Sequence, residues 1–335
     1  VSSGAAAALT VGTAACLTGL DVARMERLPH TEGMPNEVIM CRTHRTGYDH
    51  AIRAAGARIR EVGFNDRGMG AGVRGVEPWE LAAAITPQAV AFAYTANPRN
   101  EPPLREVAEV ARRHDLPVIV DAAAELPPVE NLRRFIAEGA DLVAFSGGKS
   151  IRGPQGTGIL CGRRDLIAAA LLQQLDMDVA PETWEPPASL ISRDALSGIP
   201  HHGLGRGFKV SKEEIVGLVV ALERFVDLNP AAETDQHEAM LGAIEAHLSG
   251  RPHVRITRLR AADTGRYPIL HLAFDEDGLG RTAFSISRAL QNGDPPVHLG
   301  EGRAFDGILT VDPSCLGAGD EIILAERLAK LLQAT

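Results

Sequence analysis

Asp141-Leu142-Val143-Ala144-Phe145-Ser146-Gly147-Gly148-Lys149 is the stretch from which the rest of the chain is best read. Its short apolar run reads as a buried strand. The run ends in Ser-Gly-Gly and sets a lysine at the strand's carboxyl end. Upstream, a second run of the same kind, Val118-Ile119-Val120, ends in Asp121. A lysine and an aspartate at the ends of neighbouring strands are what a pyridoxal phosphate site needs. The amine forms a Schiff base, and the carboxylate keeps the pyridine nitrogen protonated.

Other motifs compete for these residues. Gly148-Lys149-Ser150 resembles the end of a nucleotide-binding P-loop, but that motif requires a glycine where Val143 stands. A plain solvated lysine leaves three features unexplained: Gly147-Gly148, the loop Arg152-Gly153-Pro154-Gln155-Gly156-Thr157-Gly158, and Asp121. Gly70-Ala71-Gly72-Val73-Arg74-Gly75 is formally a G-x-G-x-x-G. No strand runs directly into it, Pro78 follows, and Phe92 to Asn97 offers no acid for a ribose, so it reads as a flexible turn. His201-His202 lacks spaced acidic partners, and no metal is expected there.

The chain has 335 residues, enough for a large core and two domains. Its net charge of −9 argues against a broad nucleic-acid surface but not against a local basic pocket. Cys16, Cys41, Cys161 and Cys315 are scattered and read as reduced thiols of a cytoplasmic protein. No apolar stretch is clean enough to span a membrane, and the alanine-rich opening lacks the basic start of a signal peptide.

That opening, Ala5 to Leu17 closed by Gly19, predicts a helix with Ser3 as its N-cap. Its free N–H groups and positive dipole end suit a phosphate. Beyond it, strands at 37–41, 57–62, 89–95, 117–121, 141–145 and 158–161 alternate with helices at 48–55, 77–84, 103–114, 129–138 and 163–175. Such alternation predicts a mainly parallel sheet covered on both faces, with ligands at the strands' carboxyl ends. His44, Asn97, Asp121 and Lys149 fall at or past such ends. Residues 176–206 are proline-rich and irregular. The expected organisation is an α/β large domain over 1–210, a linking helix over 211–230, and a small α+β domain over 231–335.

Several runs together resemble one family. They are Ser3-Gly4-Ala5-Ala6, Tyr48-Asp49-His50-Ala51-Ile52, Tyr94-Thr95-Ala96-Asn97-Pro98, Val120-Asp121-Ala122-Ala123-Ala124, Ser146-Gly147-Gly148-Lys149 through Gln155, and Gly205-Arg206-Gly207-Phe208-Lys209-Val210-Ser211-Lys212-Glu213-Glu214. The chain resembles the selenocysteine-synthase-like branch of fold-type I pyridoxal-phosphate enzymes, which includes seryl-tRNA selenium transferases and D-glucosaminate-6-phosphate ammonia-lyase-like proteins. The match covers about residues 1–225 well and the rest loosely. It implies an aspartate-aminotransferase-like large domain and pyridoxal 5'-phosphate as cofactor.

The resemblance also implies roles. Lys149 is the Schiff-base lysine and mobile acid–base, and Asp121 pairs with the pyridine nitrogen. Ser3, Gly4 and Ala5 hold the phosphate, with Ser146 as a further donor. Asn97 bonds the phenolic oxygen and Ala123 lies under the ring. His44 stacks on the outer face, with Arg42, Arg45 and Tyr48 as close rivals. Arg152, Arg206, Lys209 and Lys212 are the candidate substrate cations, Arg206 first for the α-carboxylate, with Gln155 beside them. Relatives carry a segment before the phosphate cup, so the expectation is that the chain begins inside a larger protein. The expected activity is α,β-elimination from a small polar amino acid or amino sugar acid, releasing ammonia and a 2-keto acid. Retro-aldol cleavage and racemisation are alternatives of the same chemistry. Selenium or sulfur transfer onto an aminoacyl-tRNA and a non-catalytic regulator are alternatives of other classes. Homodimers or higher homo-oligomers with shared sites are expected.

Overall fold

A computed structural model describes residues 1–64, 75–98 and 100–333. Gly70 to Arg74 of the G-x-G-x-x-G lie outside the described residues. The chain divides into two compact units, Val1–Val226 and Asp227–Thr335.

The first unit is built on a six-stranded sheet. Its strands are β1 (Glu37–Cys41), β2 (Arg58–Val62), β3 (Ala89–Thr95), β4 (Val118–Asp121), β5 (Leu142–Ser146) and β6 (Gly158–Gly162), in the order β2-β1-β3-β4-β5-β6. All neighbours are parallel except β5 and β6. The helices are α1 (Ala5–Thr18), α2 (Val22–Arg27), α3 (His50–Ala54), α4 (Pro78–Ala83), α5 (Leu104–Arg113), α6 (Asn131–Ala137), α7 (Arg164–Gln174) and α8 (Lys212–Asp227). The expected strands and helices recur here with ends shifted by a residue or two. Residues 176–206 hold only short 3-10 turns.

Period-2 alternation explains how both faces of this sheet are buried. Ile39, Phe92, Tyr94, Val118, Val120, Val143 and Phe145 point to one side, where Leu104, Val107, Ala111, Phe135 and Leu218 cover them. Val38, Met40, Ala91, Ala93, Ile119, Leu142 and Ala144 point to the other, under α1. That helix is apolar all round because it is enclosed on most sides. Its small residues let it lie close to the strands. A Cβ on Gly12 would stand 2.7 Å from Ile119 Cδ1.

The second unit holds α9 (Pro230–Leu248), β7 (Val254–Leu259), α10 (Ala261–Thr264), β8 (Ile269–Phe274), α11 (Glu276–Leu279), α12 (Ala283–Gln291), β9 (Gly300–Arg303), β10 (Ile308–Val311) and α13 (Asp320–Gln333). Its sheet is antiparallel, in the order β7-β8-β10-β9. Leu241, Ile244, Leu270, Leu272, Leu309 and Leu328 form its core. Among the described residues no helix is long and apolar enough to cross a membrane.

Candidate active site

In a sheet ordered β2-β1-β3-β4-β5, the connections reverse direction between β1 and β3, and the crevice outside the strands' carboxyl ends opens there. Register sets the neighbours at that edge. Thr95 of β3 pairs with Asp121 of β4, and Asp121 pairs with Ala144 of β5. Ser146, two residues on, pairs with Gly158 of β6. Thr95, Asp121 and Ser146 therefore end successive strands, and Lys149 follows on the loop after Ser146.

Asp121 is half-buried, and its Oδ1 accepts the Ala123 N–H at 3.0 Å. Burial pushes its carboxyl above the usual range, partly offset by that N–H and by the Lys149 charge. The last influence places the ammonium within electrostatic reach of the carboxylate. Lys149 itself is exposed. Its loop is shaped by two glycines that admit no side chain. A Cβ on Gly147 would meet Thr157 Oγ1 at 2.2 Å, and one on Gly148 would meet Gln155 Cα at 2.6 Å. The Gly147 N–H reaches the Thr157 carbonyl and the Gly153 N–H reaches the Gly147 carbonyl, which closes the loop. Arg152 takes a left-handed φ of 58° within it. Arg152 and Gln155 both lie exposed on this loop.

The start of α1 lies beside β6. Ser2 and Gly158 bond each other through both backbone groups, at 3.0 and 2.8 Å. A Cβ on Gly158 would fall 2.2 Å from the Gly4 carbonyl carbon, so only glycine lets the helix end approach. The N-cap is Gly4, at φ 106°, without a side-chain cap, and not Ser3 as the pattern suggests. The Ser3 N–H is bonded to the Phe208 carbonyl and the Gly4 N–H to the Ser2 carbonyl. The N–H groups left to a ligand are those of Ala5, Ala6 and Ala7, which have no intrahelical acceptor. Ser3 keeps an exposed hydroxyl. Lys209, also exposed, directly follows the residue that receives the Ser3 N–H.

Other expected residues are placed differently. The His44 ring is 1 % exposed, lies edge-on to Tyr94 at 4.6 Å, and sets Nε2 3.2 Å from the Glu101 carbonyl. Burial pushes its pKa down to about 4, so it is neutral. A ring so enclosed offers no face to the crevice. Thr46, Tyr48 and Thr95 instead stand around a small hollow beside Asp121, floored by Met40, Ala93 and Ile119. Tyr48 is 65 % exposed and is held where it is by its N–H bond to Thr46 Oγ1. Thr46 belongs to no motif, and Thr95 stands in the Tyr94–Pro98 run without a role of its own. They are found only from the turn after β1, which brings residues 46–48 over the end of β3. Asn97 is exposed just past β3. Cys41 ends β1, and burial pushes its thiol up to about 12, so it supplies no thiolate.

Arg206 is not held free for a substrate. Its Nη2 lies 2.6 Å from Asp176 Oδ2. The imidazole of His202 and the guanidinium of Arg206 hold the Asp176 carboxyl down to about 2. The irregular segment also gives His202 the acidic neighbours its sequence lacks. Asp176, Asp178 and His202 bring ligand atoms within 4.8 Å of one another. All three are exposed, and Asp176 already carries Arg206, so a cation there would have to displace a guanidinium.

These residues fit pyridoxal 5'-phosphate. Open helix N–H groups beside a glycine contact suit its phosphate, a half-buried carboxyl raised by burial suits its ring nitrogen, and an exposed lysine suits its aldehyde. Comparison with known proteins points the same way. The aminotransferase class-V model matches residues 47–266. A 5'-C-glycyluridine monooxygenase-decarboxylase from a Streptomyces species is 30% identical, over 98% of this chain and 75% of its own length. D-glucosaminate-6-phosphate ammonia lyase from Salmonella typhimurium is 28% identical, over 99% of this chain and 80% of its own. A solved structure of D-glucosaminate-6-phosphate ammonia-lyase superposes with a TM-score of 0.76 at 27% identity, covering 99% of this chain and 80% of that one. An L-seryl-tRNA(Sec) selenium transferase from Desulfovibrio desulfuricans is 26% identical, over 84% of this chain and 58% of its own length.

Proposed function

The chain belongs to the aminotransferase class-V family, and from that membership we propose that it is a pyridoxal-phosphate-dependent ammonia-lyase acting on a hydroxylated α-amino acid with a sugar-derived carbon chain. One observation carries the substrate class. Two relatives that match nearly the whole chain are named for D-glucosaminate 6-phosphate and for a glycyluridine. Both names denote an amino acid built on a sugar carbon chain.

When bound, the cofactor draws an electron pair from the substrate α-carbon. The chain does the rest. Asp121 holds the ring nitrogen protonated, and Ala123 orients that carboxylate through its N–H. Ala5, Ala6 and Ala7 present N–H groups to the phosphate, joined by the hydroxyls of Ser3 and Ser146. Tyr48 covers the crevice beside the ring. Lys149 would hold the cofactor and, beside the substrate α-carbon, would take its proton at Nζ and hand a proton to the departing β-hydroxyl. Overall the substrate loses ammonia and water, regains one water, and leaves as a 2-keto acid. Lys209 and Arg152, both exposed, would meet the substrate's own anionic groups, and Asn97 would bond the cofactor's phenolic oxygen. The working form is a homodimer or larger ring whose neighbour helps close the site. A cytoplasmic setting fits its unpaired cysteines.

A second reading rests on the 30% identical relative: oxygen-dependent decarboxylation of the same kind of substrate. One assay separates them. D-glucosaminate 6-phosphate and a panel of β-hydroxy-α-amino acids are incubated with the enzyme in air and under argon. A lyase releases ammonia and 2-keto acid in equal amounts under both atmospheres. Carbon dioxide release that requires oxygen supports the second reading. Glycine release or α-proton exchange without ammonia points to retro-aldol cleavage or racemisation, and either outcome rules out the lyase.

A further inference from the structure

Gln173, near the end of α7, is a polar side chain with no solvent exposure at all, and no part of the chemistry above uses it. Both ends of its amide are engaged. Nε2 lies 3.4 Å from Thr18 Oγ1, in the last turn of α1, and Oε1 accepts the Leu204 N–H at 3.2 Å. Leu204 opens the short 3-10 helix Leu204–Phe208. The glycines around it exist for this contact. A Cβ on Gly203 would fall 2.7 Å from Gln173 Cα, and one on Gly205 would fall 2.8 Å from Gln174 Cγ and 3.1 Å from Val11 Cγ2. Segment 203–205 thus lies against the backbone of α7 and touches α1. At the far end of the same 3-10 helix, the Phe208 carbonyl receives the Ser3 N–H at 3.0 Å. One buried amide therefore ties the last turn of α1 directly, and the chain entering its first turn through Leu204–Phe208.

We infer that Gln173 is a positioning residue for the phosphate-binding end of α1: it fixes the segment that anchors Ser3 and presents Lys209. The inference rests on the reading of that helix end as the phosphate site. The physical reason is the cost of an unmade bond. A side-chain amide in this surrounding must keep both partners, so the segment cannot slide along α1 without leaving a buried polar group unpaired.

The test compares dissociation constants of the full chain, stripped of cofactor, for pyridoxal 5'-phosphate and for pyridoxal, which lacks the phosphate, in wild type and Gln173→Met. Methionine keeps the length and volume but neither bond. Wild type should prefer the phosphorylated form strongly. Gln173→Met should weaken pyridoxal phosphate about tenfold and change pyridoxal by less than about twofold. Equal weakening of both, or none, overturns the inference while leaving the phosphate site standing. A wild type with no preference overturns the phosphate site itself, and the inference with it. Should Gln173→Met not fold, Gln173→Glu serves. At about pH 6 a carboxyl so buried stays protonated and can make both bonds, so the preference should match wild type. At about pH 9 the ionised form cannot donate to Thr18, and the preference should fall below that of wild type at the same pH. An unchanged preference at the higher pH overturns the inference.

Discussion

Two titrating side chains at the sheet edge behave oppositely, and each yields a prediction. Burial raises the Asp121 carboxyl pKa, so in the cofactor-free protein its contribution to stability is lost as pH rises from its ordinary value through the raised one. Asp121→Asn should therefore make the cofactor-free protein more stable at neutral pH by thermal melting, while lowering kcat on the order of 100-fold. A variant that melts lower and keeps its activity would contradict both roles. His44 has its pKa pushed down from 6.5 to about 4 by burial. The unfolded chain binds its proton first, so stability should fall as pH drops from about 6.5 to about 4. His44→Phe should remove that dependence, at most about 1.4 kcal/mol per pH unit, in denaturant titrations across the window. His44 also marks a limit of sequence reading. Its type and place suit a ring stacker, but whether a loop residue faces a crevice or the core depends on the turn after β1. That turn buries His44 against Tyr94 and turns Tyr48 outward.

Among the elements, alternation decides legibility. β3 (Ala89–Thr95) carries a continuous apolar run between Gln88 and Asn97, and its bounds are plain in the sequence. β9 (Gly300–Arg303) is Gly-Glu-Gly-Arg, exposed throughout and with no β-forming side chain, and it is paired only through its backbone with β10. No pattern announces it. The contact of α1 with β6 is intermediate. Gly158 stands out in the sequence as part of a glycine-rich loop, but that its missing side chain admits the Gly4 carbonyl is visible only in three dimensions. Gly158→Ala should force that contact apart, destabilise the fold by about 2 kcal/mol, and weaken pyridoxal phosphate more than pyridoxal. Calorimetry and cofactor titration read the two effects, and an unperturbed variant would remove Gly158 from the phosphate site.

For the whole molecule, the parallel sheet and its edge were readable because βαβ alternation constrains where ligands can bind. The substrate was not, because irregular segments such as 176–209 carry no periodic pattern from which to place their side chains: Arg206 proves to be paired with Asp176, and Lys209 lies exposed. We expect light scattering to give at least twice the 35.6 kDa chain mass, and a monomer that is fully active would contradict a shared site. Lys149 is the residue we propose carries the cofactor. The chain has only four lysines, Lys149, Lys209, Lys212 and Lys330, so its attachment point can be mapped without ambiguity. Borohydride reduction of the holoenzyme followed by peptide mass spectrometry should place a phosphopyridoxyl group on Lys149 alone, and Lys149→Ala should carry none. A stable adduct on Lys209, Lys212 or Lys330, or none in the wild type after reconstitution, would contradict the account.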